Sequence, residues 1–257
     1  MTYNCAYALA NLAIIGHNIM KETIYLTIID HFKNWAAGVD YACVKGCSPC
    51  CTQNVTITAL EGERILNFVL THGMERWLAK KLQEPQRADR PRLTTNEFAQ
   101  ACLTGREADD GENGTIAPCP FLEDDACRIY PVRPFACRCF ISTIRCSALQ
   151  PARIAAHYLT AATAMMQLIE HLGQKEYWGI MTDVLLALCD ISVYRPIAEQ
   201  LDDPARIMQG RLRTLTARPL PGFLFSEEEE ERLGPLLRSI FSTHLDGRTV
   251  EDILNGK

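Results

Sequence analysis

The stretch from Cys43 to Cys146 constrains this chain most, because it holds ten of the twelve cysteines in the sequence. It opens with CVKGCSPCC at residues 43–51, and five further cysteines lie within residues 119–146, among prolines and aromatic side chains. Thiols crowded at short spacings usually form disulfides, bind metal or take part in redox chemistry. The rest of the sequence helps to choose among the three.

Composition narrows the setting in which these thiols act. A chain of 257 residues, with 47% hydrophobic and 22% charged residues, is typical of a soluble globular protein of one large domain or a main domain with an appendage. The net charge of −5, without a cluster of Lys and Arg, argues against a nucleic-acid partner. The apolar run Cys5–Ile15 has no basic residue before it and is too short to cross a bilayer, so we expect a buried helix there, with a signal peptide as the alternative. We therefore expect a cytoplasmic protein without a membrane partner, in which thiol clusters more often bind metal than form disulfides.

Apolar periodicity and helix-end signals predict helices through most of the chain. Thr58–Glu61 and Thr94–Glu97 have the spacing of capping boxes, and Ser226 begins another capped helix. Residues 23–29 keep a strand as the alternative, because isoleucine, tyrosine and threonine favour strands. The predicted helices are two within residues 2–37, then 58–73, 74–84, 94–103, 152–172, 176–194, one from residue 226, and 250–254.

The second group of cysteines predicts irregular structure with one hairpin. Glu123–Asp125 has the composition of a turn, with Ile129 and Tyr130 on the return arm. The predicted fold class is mainly α: a helical domain with an irregular, cysteine-rich metal-binding region and a small β-hairpin. Residues 1–150 would form the cysteine-cluster region with N-terminal helices, and residues 151–257 a helical region that packs on it.

The spacing of the cysteines favours bound metal over disulfides or redox chemistry. Thiolates bind zinc and iron–sulfur clusters, and spacings of two or three residues let one loop supply several ligands. The adjacent residues Cys50 and Cys51 suit a single tetrahedral zinc poorly, because neighbouring side chains diverge. They would serve two metals, or one of them would not be a ligand. Eight or nine cysteines suit two four-ligand centres, or one cluster with spare thiols.

Other residues near the cysteines have plainer interpretations. Cys5, Cys102 and Cys189 stand alone within apolar helical patterns, so we expect ordinary buried thiols there. Three arginines lie among the clustered thiols: Arg128, Arg133 and Arg138. Arg128 is expected to pair with the acidic turn, whereas the other two either form ion pairs or offset thiolate charge.

These motifs resemble the YkgJ-type cysteine-cluster family, which carries a zinc- or iron-chelating CxxCxxCC domain. The resemblance covers about residues 41–146 and rests on Cys-x3-Cys-x2-Cys-Cys, Cys-Pro-Phe-Leu and Cys-x-Ile-Tyr-x-x-Arg-Pro-x-x-Cys-Arg-x-Phe. Cys139 fills the variable position of the last motif, which leaves the choice between Cys139 and Cys146 as the final ligand open. The resemblance implies that metal is held by Cys43, Cys47, Cys50, Cys51, Cys119, Cys127, Cys137 and, as the eighth, Cys146.

The function implied is metal binding, through an iron–sulfur cluster of the 4Fe-4S type or through zinc, with the specific reaction unknown. A related group, the flagellin lysine N-methylases, is associated with methyl transfer from S-adenosylmethionine and an iron–sulfur cluster. One alternative is therefore a methyltransferase-like enzyme that uses such a cluster on a protein substrate. The other is a structural zinc module that docks partners. The cysteine spacing at residues 43–50 also matches that of radical-SAM enzymes, but no alternating strand–helix pattern supports their barrel.

Overall fold

The computed structural model describes residues 3–85, 88, 90–108, 117–147 and 149–257, with side chains from residue 19 onward. The protein is mainly helical. The helices are α1 (Tyr3–Trp35), α2 (Ala59–Thr71), α3 (Glu75–Gln83), α4 (Thr95–Leu103), α5 (Phe135–Cys139), α6 (Ala156–Leu172), α7 (Met181–Leu188), α8 (Arg195–Leu201), α9 (Pro204–Arg213), α10 (Glu227–Phe241) and α11 (Val250–Leu254). In the described part of the chain, no helix combines the length and apolar character needed to cross a bilayer.

The described residues also contain seven short strands: β1 (Thr56–Thr58), β2 (Leu122–Glu123), β3 (Ala126–Cys127), β4 (Tyr177–Ile180), β5 (Leu215–Thr216), β6 (His244–Leu245) and β7 (Arg248–Thr249). They form an antiparallel sheet in the order β1-β4-β5 and two two-stranded hairpins, β2-β3 and β6-β7. The central sheet joins segments from both halves of the chain.

Three helices begin with capping boxes, as the sequence predicts. Thr58, Thr94 and Ser226 each accept a hydrogen bond from a backbone N–H three residues later, and the glutamate at that position accepts one from the cap backbone N–H. Each box satisfies backbone donors that have no partner inside the helix. The starts of α2, α4 and α10 are therefore confirmed.

Residues 23–29 belong to a helix, not to a strand. Helix α1 runs without a break to Trp35, where two helices were expected. Ile24, Ile28 and Phe32 lie four residues apart and are buried, whereas Leu26 is 41% exposed. This burial follows the period of a helix, so packing on one face overrides the strand preference of the side chains.

The prediction of one helix over residues 176–194 is wrong at both ends. Strand β4 occupies Tyr177–Ile180, helix α7 follows it, and a short 3-10 turn covers Ser192–Tyr194. Periodicity cannot separate a buried strand from a buried helix in such an apolar run. The strand forms because β1 and β5, both distant in the sequence, supply its hydrogen-bond partners.

The hairpin predicted after Cys119 is present but shorter than expected. Leu122 pairs with Cys127 across it, and the turn residues Asp124 and Asp125 have φ angles of 49° and 59°. Two successive positive φ angles are typical of the tight turns that close two-residue hairpins. The return arm ends at Cys127, because a 3-10 turn that includes a proline begins at Tyr130.

Two hydrophobic clusters form the core, and the cysteine region contacts both. The first combines α1, α5, α6 and α10, and the second combines α2, α3, α7 and α8. Both clusters take residues from either side of position 150. Phe121 and Ile129 anchor the cysteine region in the second cluster, whereas Phe135 and Cys139 anchor it in the first.

Candidate metal centre

One backbone pairing joins the first cysteine loop to the end of the cysteine region. Ala42 N–H donates to the Ser142 carbonyl at 2.7 Å, and Ser142 N–H donates to the Cys43 sulfur at 3.2 Å. This contact brings the loop that carries Cys47 to the segment that carries Cys146, and the two thiols are close enough to interact electrostatically. Burial, followed by the nearby thiols, raises the pKa of Cys47.

A second backbone pairing joins the end of the first loop to the start of the second group. Cys119 N–H donates to the Cys51 carbonyl at 3.0 Å, and Gln53 N–H donates to the Ala117 carbonyl at 2.9 Å. The β2-β3 hairpin then carries Cys127 back toward this pair, and α5 contributes Cys137. Cys51 interacts electrostatically with all three of the other thiols.

The thiols of this second neighbourhood are shifted toward the neutral form. Burial raises the pKa of Cys119 to about 11, and burial also raises the pKa of Cys127. For Cys137, burial and then the neighbouring sulfurs raise the pKa. Cys51 is the exception, because a hydrogen bond from the Cys50 thiol lowers its pKa. A buried thiol resists ionisation in the absence of a compensating charge, and a bound metal supplies that charge.

Cys139 lies beside the second neighbourhood, near enough to Cys137 to contribute to its raised pKa, but its own side chain enters the core. Its side chain is 5% exposed within the first hydrophobic cluster, and its thiol donates to the Ala136 carbonyl of its own helix at 3.5 Å. Burial raises its pKa to about 12. Cys146, in contrast, interacts electrostatically with Cys47. The geometry therefore associates Cys146 with the other clustered thiols and makes Cys139 a core residue.

The clustered thiols are close neighbours, yet they do not surround a common point. Among the described residues, no group of three or more His, Cys, Asp or Glu side chains is near enough together to hold a metal ion. All eleven cysteines that the structure describes are free thiols. The donor chemistry fits a metal, because sulfur ligands in this number and at these spacings suit zinc or iron–sulfur centres. Binding would require the side chains to rotate inward.

The prediction that the isolated cysteines are buried thiols holds for one of them and fails for another. Cys189 is 3% exposed in the second hydrophobic cluster, which confirms the expectation of a buried thiol. Cys102 is exposed near the end of α4, so the expectation was wrong there, because its helix turns this position toward solvent. The prediction for Cys5 falls on a side chain outside the described part of the structure.

The three arginines behave differently from one another. Arg128 pairs with Glu123 across the hairpin at 3.3 Å, as expected. Arg133 stacks on the Tyr130 ring, 3.7 Å from its centroid, and its charge opposes the rise that burial causes in the pKa of Cys127. Arg138 donates to the backbone carbonyls of Arg133 and of Pro131, both at 2.8 Å. The ring and the backbone carbonyls that hold these two guanidinium groups carry no net charge. The positive charges of Arg133 and Arg138 therefore remain available to offset thiolate charge.

Glu61 lies at the base of the cysteine-bearing helix α5, and the sequence identified it only as part of a helix cap. It is buried, and its carboxylate accepts hydrogen bonds from Tyr25 Oη at 3.2 Å, from Phe135 N at 2.8 Å and from Thr58 N at 3.1 Å. Burial raises its pKa, and these hydrogen bonds oppose the shift. Because Phe135 begins α5, this carboxylate fixes the helix that carries Cys137. The capping-box spacing was the only signal in the sequence.

Comparisons of the chain with models of protein families, with curated proteins and with solved structures found no match. The similarity to the YkgJ-type family thus stays a prediction drawn from its motifs. Function must therefore be inferred from the chain's own thiols and from what surrounds them.

Proposed function

We propose that this protein binds metal through its cysteine cluster, as an iron–sulfur cluster or as zinc. The observation that carries the proposal is that two backbone pairings bring eight thiols into two neighbourhoods, with none of the eight in a disulfide. Cys146, and not Cys139, would be the last ligand, so the full set is Cys43, Cys47, Cys50, Cys51, Cys119, Cys127, Cys137 and Cys146. The cytoplasm is the compartment that we propose, since its reducing conditions keep such thiols free.

The first role of the metal would be to stabilise the cysteine region. Residues 39–55 contain no helix and only an isolated β-bridge at Thr52, and residues 117–147 contain only short elements. Segments of this kind gain little from regular hydrogen bonding, so a metal that cross-links them contributes directly to folding. Phe121, Ile129 and Phe135 anchor the region at three points, and the bound metal would hold the loops between those anchors.

The sulfur-only ligand set is compatible with either metal. Zinc held by four thiolates is closed and structural, whereas a bound iron–sulfur cluster would supply electron transfer. In both cases the chain's part is to position thiolates, to exclude water on the core side and to balance charge with Arg133 and Arg138.

Anaerobic purification followed by metal analysis tests the proposal. A brown protein with iron and acid-labile sulfide identifies a cluster, and a colourless protein with stoichiometric zinc identifies a zinc centre. A reduced, folded protein that retains neither metal, and that binds neither on reconstitution, would refute the proposal.

Substitutions of single thiols give the second test. Cys137→Ser should bind less metal than the natural chain and should lose about 4 kcal/mol of the stabilisation that a tight ligand provides, or about 10 °C in melting temperature. Cys102→Ser is the matched control, because that thiol is exposed and lies outside the cluster. Equal metal content and equal melting temperature in the two variants would show that Cys137 is not a ligand.

A further inference from the structure

We infer that the eight clustered thiols form two separate four-thiol centres, and that the division falls between the adjacent residues Cys50 and Cys51. The outer centre comprises Cys43, Cys47, Cys50 and Cys146, and the inner centre comprises Cys51, Cys119, Cys127 and Cys137. This inference rests on the proposed function, because it concerns how the same thiols share metal.

The backbone separates Cys50 from Cys51. Cys47 N–H donates to the Val44 carbonyl at 3.0 Å and Cys51 N–H donates to the Ser48 carbonyl at 2.9 Å, so residues 44–51 fold as two consecutive tight turns. From Cys51 onward the chain is extended and pairs with residues 117–119. Cys50 therefore lies inside a turn, whereas Cys51 closes that turn and begins the paired segment. The two thiols contact each other, but their remaining neighbours differ. Cys50 lies near Cys47, whereas Cys51 lies near Cys119, Cys127 and Cys137.

Each of the two backbone pairings serves one centre only. The pairing of residues 42–43 with Ser142 brings Cys43 and Cys47 to the segment that ends in Cys146. The pairing of residues 51–53 with 117–119 brings Cys51 to Cys119, to the hairpin and to α5. The four outer and four inner thiols thus come from different pairs of segments, and each set has the number of ligands that a tetrahedral thiolate site needs.

The two centres also lie in different surroundings. Cys119 and Cys127 pack against the second hydrophobic cluster, and the guanidinium groups of Arg133 and Arg138 lie beside the inner thiols. Four thiolates around a divalent ion carry a net charge of −2, which costs more to bury than to expose, so countercharges belong at the inner centre. Of the outer thiols, Cys43 packs against the first hydrophobic cluster, but the loop that follows it is open to solvent, with Val44 71% exposed. The outer centre is therefore the one from which metal exchanges first.

Zinc stoichiometry in reduced, metal-free, full-length protein tests the division. The unaltered chain should bind about two equivalents of zinc. The outer variant Cys43→Ser/Cys47→Ser and the inner variant Cys119→Ser/Cys127→Ser should each bind about one. The control Cys102→Ser should bind as many as the unaltered chain. Removal of zinc by a chelator should be biphasic in the unaltered chain, and the outer variant should lack the fast phase.

The possible results distinguish a failure of the two-centre inference from a failure of the proposed metal binding. An unaltered chain that binds no zinc and no iron refutes metal binding itself. An unaltered chain that binds a single equivalent, or an outer variant that loses all its zinc while it stays folded by circular dichroism, refutes the division alone. Should the inner variant fail to fold, the outer variant and Cys146→Ser still decide the question, because each must retain one slowly exchanging equivalent.

Discussion

Glu61→Ala tests whether a single buried carboxylate holds the cysteine-bearing helix in place. The carboxylate closes the capping box of α2 and, in addition, accepts hydrogen bonds from the Tyr25 hydroxyl and from the backbone N–H of Phe135. Glu97 closes the equivalent capping box of α4, but its other contact is a partly exposed ion pair with Arg218 at 2.7 Å. The pair Glu61→Ala and Glu97→Ala therefore separates the effect of the buried contacts from that of the cap.

The expected magnitudes follow from counting the donors that lose their acceptor. Glu97→Ala should cost about 1 kcal/mol, the usual value of a capping interaction. Glu61→Ala loses the same interaction and also leaves two buried donors, Tyr25 Oη and Phe135 N, without partners, at about 1–3 kcal/mol each. The expected total is about 3–7 kcal/mol in the free energy of unfolding, so the two variants should differ by about 2–6 kcal/mol.

Urea unfolding followed by circular dichroism, with metal content measured for each sample, provides the comparison. Tyr25→Phe supplies a further check, since it should cost about 1 kcal/mol in the natural chain and much less in the Glu61→Ala background. If Glu61→Ala is no more destabilising than Glu97→Ala, or if the two substitutions Tyr25→Phe and Glu61→Ala are additive, the carboxylate is only a helix cap and does not hold α5.

Two more predictions concern packing and pH. His171 accepts the Leu220 N–H through Nδ1 at 3.0 Å, its Nε2 lies 3.0 Å from the Leu254 carbonyl, and burial lowers its pKa. A histidine whose pKa is lowered in the folded protein adds stability above pH ~6.5, and this stability is lost as the pH falls below that value. His171→Gln should therefore narrow the difference between the urea midpoints at pH 8 and pH 5. An unchanged difference would assign the pH dependence to other groups. A Cβ at Gly210 would lie 2.5 Å from a side-chain carbon and 2.8 Å from a backbone oxygen of α7, so Gly210→Ala should cost about 2–3 kcal/mol by thermal unfolding. At Gly234, on α10, the nearest atom to an added Cβ is the end of a flexible arginine side chain, so Gly234→Ala should be neutral or stabilising. An equal loss of stability in both variants would show that close packing against α7 does not cause the effect of Gly210→Ala.

Much of the local structure follows from the sequence, because the contacts that decide it span only a few residues. Thr58, Thr94 and Ser226 begin helices since each finds its capping partner three residues later. The hairpin after Cys119 forms because its acidic turn residues accept positive φ angles. The spacing of the cysteines likewise indicated their chemistry without knowledge of the fold, although metal binding itself remains a proposal.

The tertiary structure decided what depends on distant partners. Strand β4 exists because β1 and β5 pair with it, and no local pattern distinguishes it from a helix. The choice between Cys139 and Cys146 depends on which one enters the core, and the role of Glu61 depends on Phe135, 74 residues away. Sequence spacing therefore determined which residues are chemically suited to a metal site. Only long-range backbone pairing and burial determined which of those thiols are neighbours, because these contacts join segments that are far apart in the chain.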